Sequence, residues 1–173
     1  MNIRKGNIAD IKGIAKVHVD SWKSTYDGIV SRNYLDGLSY GEREEKWRHV
    51  FKQGFSSSSL FVAENEHGEI IGFANGGKER TGKYKYDGEL YAIYLLKKYA
   101  RQQIGKYLLK QVALDLFTKG YQSMLVWVLA ENPSRHFYEA FNPVEVDTQQ
   151  IKIGSDTFEE IAYGWEHLQN LLN

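Results

Sequence analysis

Between Glu89 and Leu96, apolar side chains fill both alternate sets. Leu90, Ala92, Tyr94 and Leu96 are expected to face one way, and Tyr91, Ile93 and Leu95 the other. Only a strand covered on both faces tolerates such a run. The period then changes: Ile104, Leu108, Val112 and Leu116 form one stripe, joined by Leu109 and Phe117, while Lys106, Lys110 and Asp115 lie elsewhere. This spacing predicts an amphipathic helix over 103–119, stopped by Gly120. Met124-Leu-Val-Trp-Val-Leu129 is a second doubly covered strand. Asn132-Pro133 then starts a helix, with a favoured cap followed by proline at the first helical position. A strand that feeds a turn and a helix N-terminus is an anion site, because unpaired N–H groups and the positive dipole end favour phosphate oxygens.

The rest of the chain fits around this unit. Residues 2–5 read as a short strand. Asn7, with Asp10 three residues on, resembles a helix cap and opens a helix carrying Ile11, Ile14, Ala15, His18 and Trp22 on one side. Two shorter helical stretches are expected near 31–37 and 39–52. Ser56 to Ser59 is a short polar loop. Leu60-Phe-Val-Ala-Glu and Glu69-Ile-Ile-Gly-Phe-Ala-Asn flank Asn65-Glu-His-Gly, a hairpin signal. Gln150-Ile-Lys-Ile, Gly154-Ser-Asp and Thr157 to Trp165 form a closing hairpin. The order β-α-α-β-β-β-α-β-α-β-β implies an α/β fold, a mixed sheet with helices on both faces. No linker or repeat divides it, so residues 1–173 are expected to form a single domain.

Composition narrows the chemistry. The 22 Lys and Arg balance 22 Asp and Glu, so no net field favours nucleic acid or an anionic membrane. No apolar run approaches the ~20 residues of a membrane span. Met1-Asn-Ile-Arg-Lys leads into polar sequence rather than a signal-type segment, which fits a cytoplasmic protein. Without cysteine there is no disulfide and no thiolate nucleophile or ligand, and the 5 His lack ligand spacing, so no metal is expected. An aromatic content of 14%, with 12 Tyr and 4 Trp, is consistent with a lined groove as well as with an aromatic core.

Four segments carry a resemblance. They are Val17-His-Val-Asp-Ser-Trp22 with Tyr26 and Gly28, Leu90-Tyr-Ala-Ile-Tyr-Leu95, Asn132-Pro-Ser-Arg-His-Phe-Tyr138-Glu, and Ile161-Ala-Tyr-Gly-Trp165. In this order they resemble the GNAT superfamily of acetyl-CoA-dependent N-acetyltransferases, and within it a bacterial group. The resemblance spans nearly the whole chain. It implies a central, mostly antiparallel sheet of about seven strands, with a splayed cofactor cleft between strands four and five. The family's pyrophosphate loop runs Gln/Arg-x-x-Gly-x-Gly/Ala, and here the segment is Ala100-Arg-Gln-Gln-Ile-Gly105, in which only the last glycine survives. Gln103 keeps a backbone donor in place of the first glycine, so it matters only where its Cβ obstructs approach or a positive φ is required. Phe141-Asn142-Pro143 replaces the usual Leu-Gly, and Asn142 tolerates the left-handed geometry that ends a helix.

By this resemblance the reaction is direct attack of an amine on the acetyl-CoA thioester, releasing CoA. Backbone amides near Tyr94 and Leu95 are expected to bind the pantetheine arm and the thioester carbonyl at a bulge. Arg101, Gln102, Gln103, Ile104, Gly105 and Lys106 are expected at the pyrophosphate, and Asn132 and Ser134 at the pantetheine arm. Tyr138 is the expected general acid, because a phenol pKa of about 10 lies near a thiol's 8.5. Glu89 is the expected base, with its pKa raised by burial among Tyr91 and other aromatics; Asp20, Asp27 and Asp87 remain open alternatives. His18, Trp22 and Tyr26 share a helix face, which is core by default or, for Trp22 and Tyr26, a wall of the acceptor site. Charges in 20–50 are mixed and single out no acceptor among polyamine, aminoglycoside and peptide amines. Two other readings compete with the transferase: a non-catalytic acyl-CoA-binding module, and a nucleotide binder lacking the common glycine motifs. A homodimer is common among such proteins, and the closing hairpin offers an edge for one.

Overall fold

The computed structural model describes residues 1–53 and 58–172. Ser56 and Ser57 of the expected polar loop lie outside the described residues, whereas Ser59 is buried and its hydroxyl donates to Asp115. In chain order the elements are β1 (Asn2–Lys5), α1 (Ile11–Thr25), α2 (Arg32–Asp36), α3 (Tyr40–Lys52), β2 (Ser59–Glu64), β3 (Ile70–Lys78), β4 (Gly88–Leu95), α4 (Ile104–Thr118), β5 (Met124–Leu129), α5 (Arg135–Glu139), β6 (Val144–Ile153) and β7 (Asp156–Trp165). Three separate helices precede β2, matching the three helical stretches expected there, whereas the order β-α-α-β-β-β-α-β-α-β-β counts two. The Asn7–Asp10 capping box forms and opens a 3-10 turn that runs into α1. Asp10 also accepts a bidentate bond from Arg4 of β1, at 2.8 Å to each oxygen, so the cap ties the helix to the sheet.

The sheet order is β1-β2-β3-β4-β5-β7-β6, antiparallel except for the β4–β5 pair. On one face α4 buries Leu108, Leu109, Val112 and Leu116 against Phe61, Ile71, Ala74, Leu90 and Val126. On the other face α1 and α3 bury Ile14, Val17 and Trp47 against Leu60, Val62 and Phe73. A third cluster joins Tyr26, Val30 and Leu35 to Leu129, Ile153 and Phe158, so the β6–β7 hairpin folds against the α1–α2 connection. β6 starts at Val144, earlier than the Gln150 of the closing hairpin, because the pairing Val144↔Gly164 extends the ladder along the whole of β7.

One expectation about β4 is overturned. Gly76 of β3 pairs with Leu90 and Asn75 pairs with Ala92, leaving Tyr91 as an extra residue in a β-bulge. A bulge shifts the side-chain alternation by one. Leu90 therefore joins Ile93 and Leu95 on the α4 face, while Ala92 and Tyr94 lie on the α1 face. Leu90, Ala92 and Tyr94 do not share a face as the unbroken alternation predicts.

Gly76 stands opposite the bulge because nothing larger fits. A Cβ there meets Val112 Cγ1 at 2.8 Å and the Glu89 carbonyl oxygen at 2.9 Å. Gly76→Ala is therefore expected to destabilise the fold by roughly 1–3 kcal/mol, measured by chemical denaturation. An unchanged midpoint would mean that the bulge is free to move.

Candidate active site

β4 and β5 are paired only through Gly88↔Met124, Glu89↔Leu125 and Leu90↔Val126. Asp87 clamps this closed end: its carboxylate accepts from the backbone N–H of Gln122 and Ser123, both at 2.9 Å, and from the Ser123 hydroxyl at 2.7 Å. Burial opposes these bonds, yet together they hold Asp87 below the usual carboxylate range. Beyond Leu90 the two strands part. The Leu96 N–H bonds Ile71 O at 2.9 Å, so strand alternation turns the amides of Ile93 and Leu95 toward the open side and that of Tyr94 toward β3. The Leu95 carbonyl accepts from Ser21 at 3.2 Å. Of the two backbones expected to be free, Leu95's N–H faces the cleft, while Tyr94 reaches it through its side chain.

At the mouth of the cleft, a 3-10 turn (Lys97–Tyr99) leads to the start of α4. Arg101 and Gln103 have φ of 61° and 62°, and no side chain caps the helix. The backbone shape that glycine would adopt freely is thus held by non-glycine residues. Arg101, Gln102 and Gln103 are exposed, Gly105 and Lys106 half-buried, and Ile104 is buried in the core. A Cβ on Gly105 would meet Phe137 at 3.4 Å, an ordinary contact, so the fold itself does not require glycine there. The uncapped amides and the bare Cα of Gly105 suit an anion pressed against the helix start. A cavity of about 420 Å³ lies beside this turn, lined in part by Lys98, Gln102 and Ile104.

The open part of the cleft holds an aromatic cluster. Trp22 Nε1 donates to the Tyr94 hydroxyl at 3.0 Å, Asn132 Nδ2 donates to the Tyr26 hydroxyl at 3.3 Å, and the Trp22 and Tyr26 rings lie 4.6 Å apart. Tyr138 of α5 is buried within electrostatic reach of Tyr94 and Tyr26, and its hydroxyl has no hydrogen-bond partner among the described residues. Burial, then these two phenols, raise its pKa well above the ordinary tyrosine value, so the match to a thiol is looser than the sequence reading assumed. α5 begins at Arg135 rather than directly after Asn132. Asn132 instead caps the preceding turn, accepting from the backbone N–H of the exposed Ser134 at 2.8 Å. Asn142, at φ 50°, ends the helix as expected. On α1, His18 stacks on Tyr94 with centroids 4.8 Å apart. Burial, then Arg43 and Lys46, lower the His18 pKa to about 3, so the imidazole is neutral.

Glu89 is buried at the base of the splay, with Arg80 donating through its backbone N–H, Nε and a terminal nitrogen at 2.5–3.1 Å. The bulge at Tyr91 lies two residues after Glu89, closer than expected. Of the other acids, Asp20 pairs with Lys16 and Tyr40, Asp27 is exposed beside Arg32, and Asp87 is the strand clamp. Sequence reasoning missed Glu160 of β7. Burial raises its pKa, and it lies within electrostatic reach of Glu89 and Tyr26. Its signal was a carboxylate on the strand face it shares with the buried Phe158 and Ala162.

The chain has recognisable relatives. Residues 22–142 match the model of the Acetyltransferase (GNAT) family, and the chain belongs to that family. It is 43% identical over 171 residues to the uncharacterized N-acetyltransferase YuaI of Bacillus subtilis, covering 99% of this chain and 96% of that protein. It is 27% identical to the spermidine N(1)-acetyltransferase of Thermoplasma acidophilum, covering 94% and 98%. The crystal structure of the PaiA N-acetyltransferase from Thermoplasma acidophilum in complex with coenzyme A superposes with a TM-score of 0.74, at 27% identity, covering 92% of this chain and 96% of that one. The protein is an acetyl-CoA-dependent N-acetyltransferase, and the nucleotide-binder and non-catalytic readings give way to it. Among the described residues no helix is long and apolar enough to cross a membrane.

The left-handed turn predicts a gain. Gln103→Gly relieves a non-glycine αL conformation and is expected to stabilise the ligand-free protein by about 1 kcal/mol, read as a raised denaturation midpoint. A lowered midpoint would show that the Gln103 side chain contributes more than its backbone strain costs.

Proposed function

We propose that this chain acetylates a primary amine of a small molecule or peptide by direct attack in a ternary complex with acetyl-CoA. The observation that carries this reading is Tyr138, a buried residue beside the open part of the β4–β5 splay whose hydroxyl has no hydrogen-bond partner among the described residues. Acetyl-CoA, when bound, supplies the acetyl group as a thioester. The turn Arg101–Gln102–Gln103, with Ile104, Gly105 and Lys106, holds the pyrophosphate through backbone N–H groups and two cations. The edge of β4 at Leu95 orients the carbonyl, and Asn132 and Ser134 lie along the pantetheine arm.

Tyr138 gives its proton to the departing sulfur. Its raised pKa keeps it protonated throughout the working range, so it acts as a donor. Glu89, directly or through water, takes the amine proton. Arg80 binds both carboxylate oxygens and fixes their direction while leaving lone pairs for that bond. Trp22 and Tyr26 wall the acceptor side. The Thermoplasma relative's name gives spermidine as its substrate, so a polyamine belongs in any acceptor panel.

Thermal unfolding with acetyl-CoA, CoA, ATP and NAD in parallel tests the cofactor. A ligand at 100 times its dissociation constant adds roughly 2.7 kcal/mol, expected for the two CoA species; stabilisation by ATP alone would overturn the reading. Tyr138→Phe is expected to lower kcat by about 10²–10⁴-fold with acetyl-CoA affinity intact, and unchanged turnover removes Tyr138 from the mechanism. Because the Tyr138 pKa is raised, the wild-type rate should not fall near the ordinary tyrosine value of about 10. Glu89→Gln is expected to lower kcat by about 10²–10⁴-fold; unchanged turnover transfers the base role to another group.

A further inference from the structure

The charges between residues 20 and 50 are evenly mixed in sequence, but the fold sorts them. Lys16 binds Asp20 at 2.5 Å, Arg32 binds Asp27 at 3.5 Å, and Arg48 binds Glu44 and Glu45 at 3.1 and 3.2 Å. Arg43 and Lys46, one turn apart on α3, have no ion pair among the described residues. Both line a cavity of about 310 Å³ between α2 and α3, together with Asn33, Tyr34, Ser39 and Glu42. Arg43 is half-buried, and an arginine held in a partly desolvated wall without an anion is a binding group awaiting one.

A chain of ring contacts runs from the lining of this cavity to the aromatic cluster of the cleft. Tyr34 lies 6.2 Å from Trp22, and Trp22 donates to the Tyr94 hydroxyl beside Tyr26. Arg43 lies within electrostatic reach of both His18 and Tyr94. On β4 and β7 stand Glu89, held by Arg80, and Glu160, within electrostatic reach of each other. An acceptor whose amine is turned toward Glu89 would offer its other end to the cations of α3.

We propose that the acceptor is a primary amine that also carries an anionic oxygen group, a carboxylate or a phosphate-type oxyanion, bound by Arg43 and Lys46. This rests on the transferase reading above and names its substrate class. A polyamine would place positive charge against two cations that share the cavity lining with only one carboxylate, Glu42, and like charges in such a site disfavour it.

The test uses the full chain with acetyl-CoA and measures thiol release for matched acceptors: amino acids and acidic dipeptides, their carboxamides, aminoalkylphosphonates, and spermidine. The expected result is a kcat/KM at least about 10-fold higher for the carboxylate or phosphonate members than for the amides and spermidine; the better anion distinguishes the two sources. In Arg43→Glu and, separately, Lys46→Glu, the anion-over-amide ratio should collapse toward one, chiefly through KM, and Arg43→Lys should restore part of it. Equal turnover of acid and amide, preference for spermidine, or an anion preference that survives both charge reversals overturns the proposal. Thiol release with no acceptor, although acetyl-CoA still stabilises the protein, overturns the transferase reading itself, a result distinct from turnover without charge preference.

Discussion

The constraint on which the structure depends is the parting of β4 from β5 after three paired residues. Two adjacent strands with buried flanks would ordinarily continue pairing, since an unpaired backbone group away from water costs free energy. Here the separation is built in from both ends. Asp87 fastens the closed end by accepting three hydrogen bonds from Gln122 and Ser123. The Tyr91 bulge then turns β4 while it stays paired with β3. The result is a strand edge with its donors facing a cleft, in a molecule whose core on either side remains packed.

The same bulge decides which side chains reach the reacting end. By shifting the alternation, it sends Ile93 and Leu95 to the α4 core and Tyr94 to the α1 face, where the phenol meets Trp22, His18 and Tyr26. α1 therefore has one face that is core and site together. Tyr138 arrives from the other strand of the split, carried by the short α5 that follows β5. Two phenols from opposite banks of the cleft, Tyr94 on β4 and Tyr138 on α5, come within electrostatic reach of each other.

Much of this was legible in the chain. The Asn7–Asp10 box, the α4 stripe, the Asn65–Gly68 hairpin and the doubly apolar β4 and β5 all stand where periodicity and turn chemistry put them. Among the proposed site residues, Tyr26, Trp22 and Asn132 were visible by motif, and the structure joins them in one cluster with Tyr94 through two hydrogen bonds and the Trp22–Tyr26 ring contact. The facing of Leu90 against Ala92 was not legible, because a bulge leaves no mark in a run whose two faces are both apolar. Glu160 escaped for a related reason: its neighbour Glu159 is exposed, and a pair of acids in a hairpin reads as solvated.

Local chemistry by itself determined the elements, their order and the two doubly covered strands, since these depend on caps, periods and turn residues that act within a few positions. It also determined that α4 begins at a bare helix start after an Arg-Gln-Gln turn. Tertiary structure alone decided that Gln103 must adopt a left-handed conformation and that Arg80 reaches back to the buried Glu89. It also decided which of the evenly mixed charges between 20 and 50 form ion pairs, and that Arg43 and Lys46, which form none among the described residues, line one cavity with Glu42. Charge composition carries no geometry, and an ion pair forms only where the fold brings opposite charges within reach.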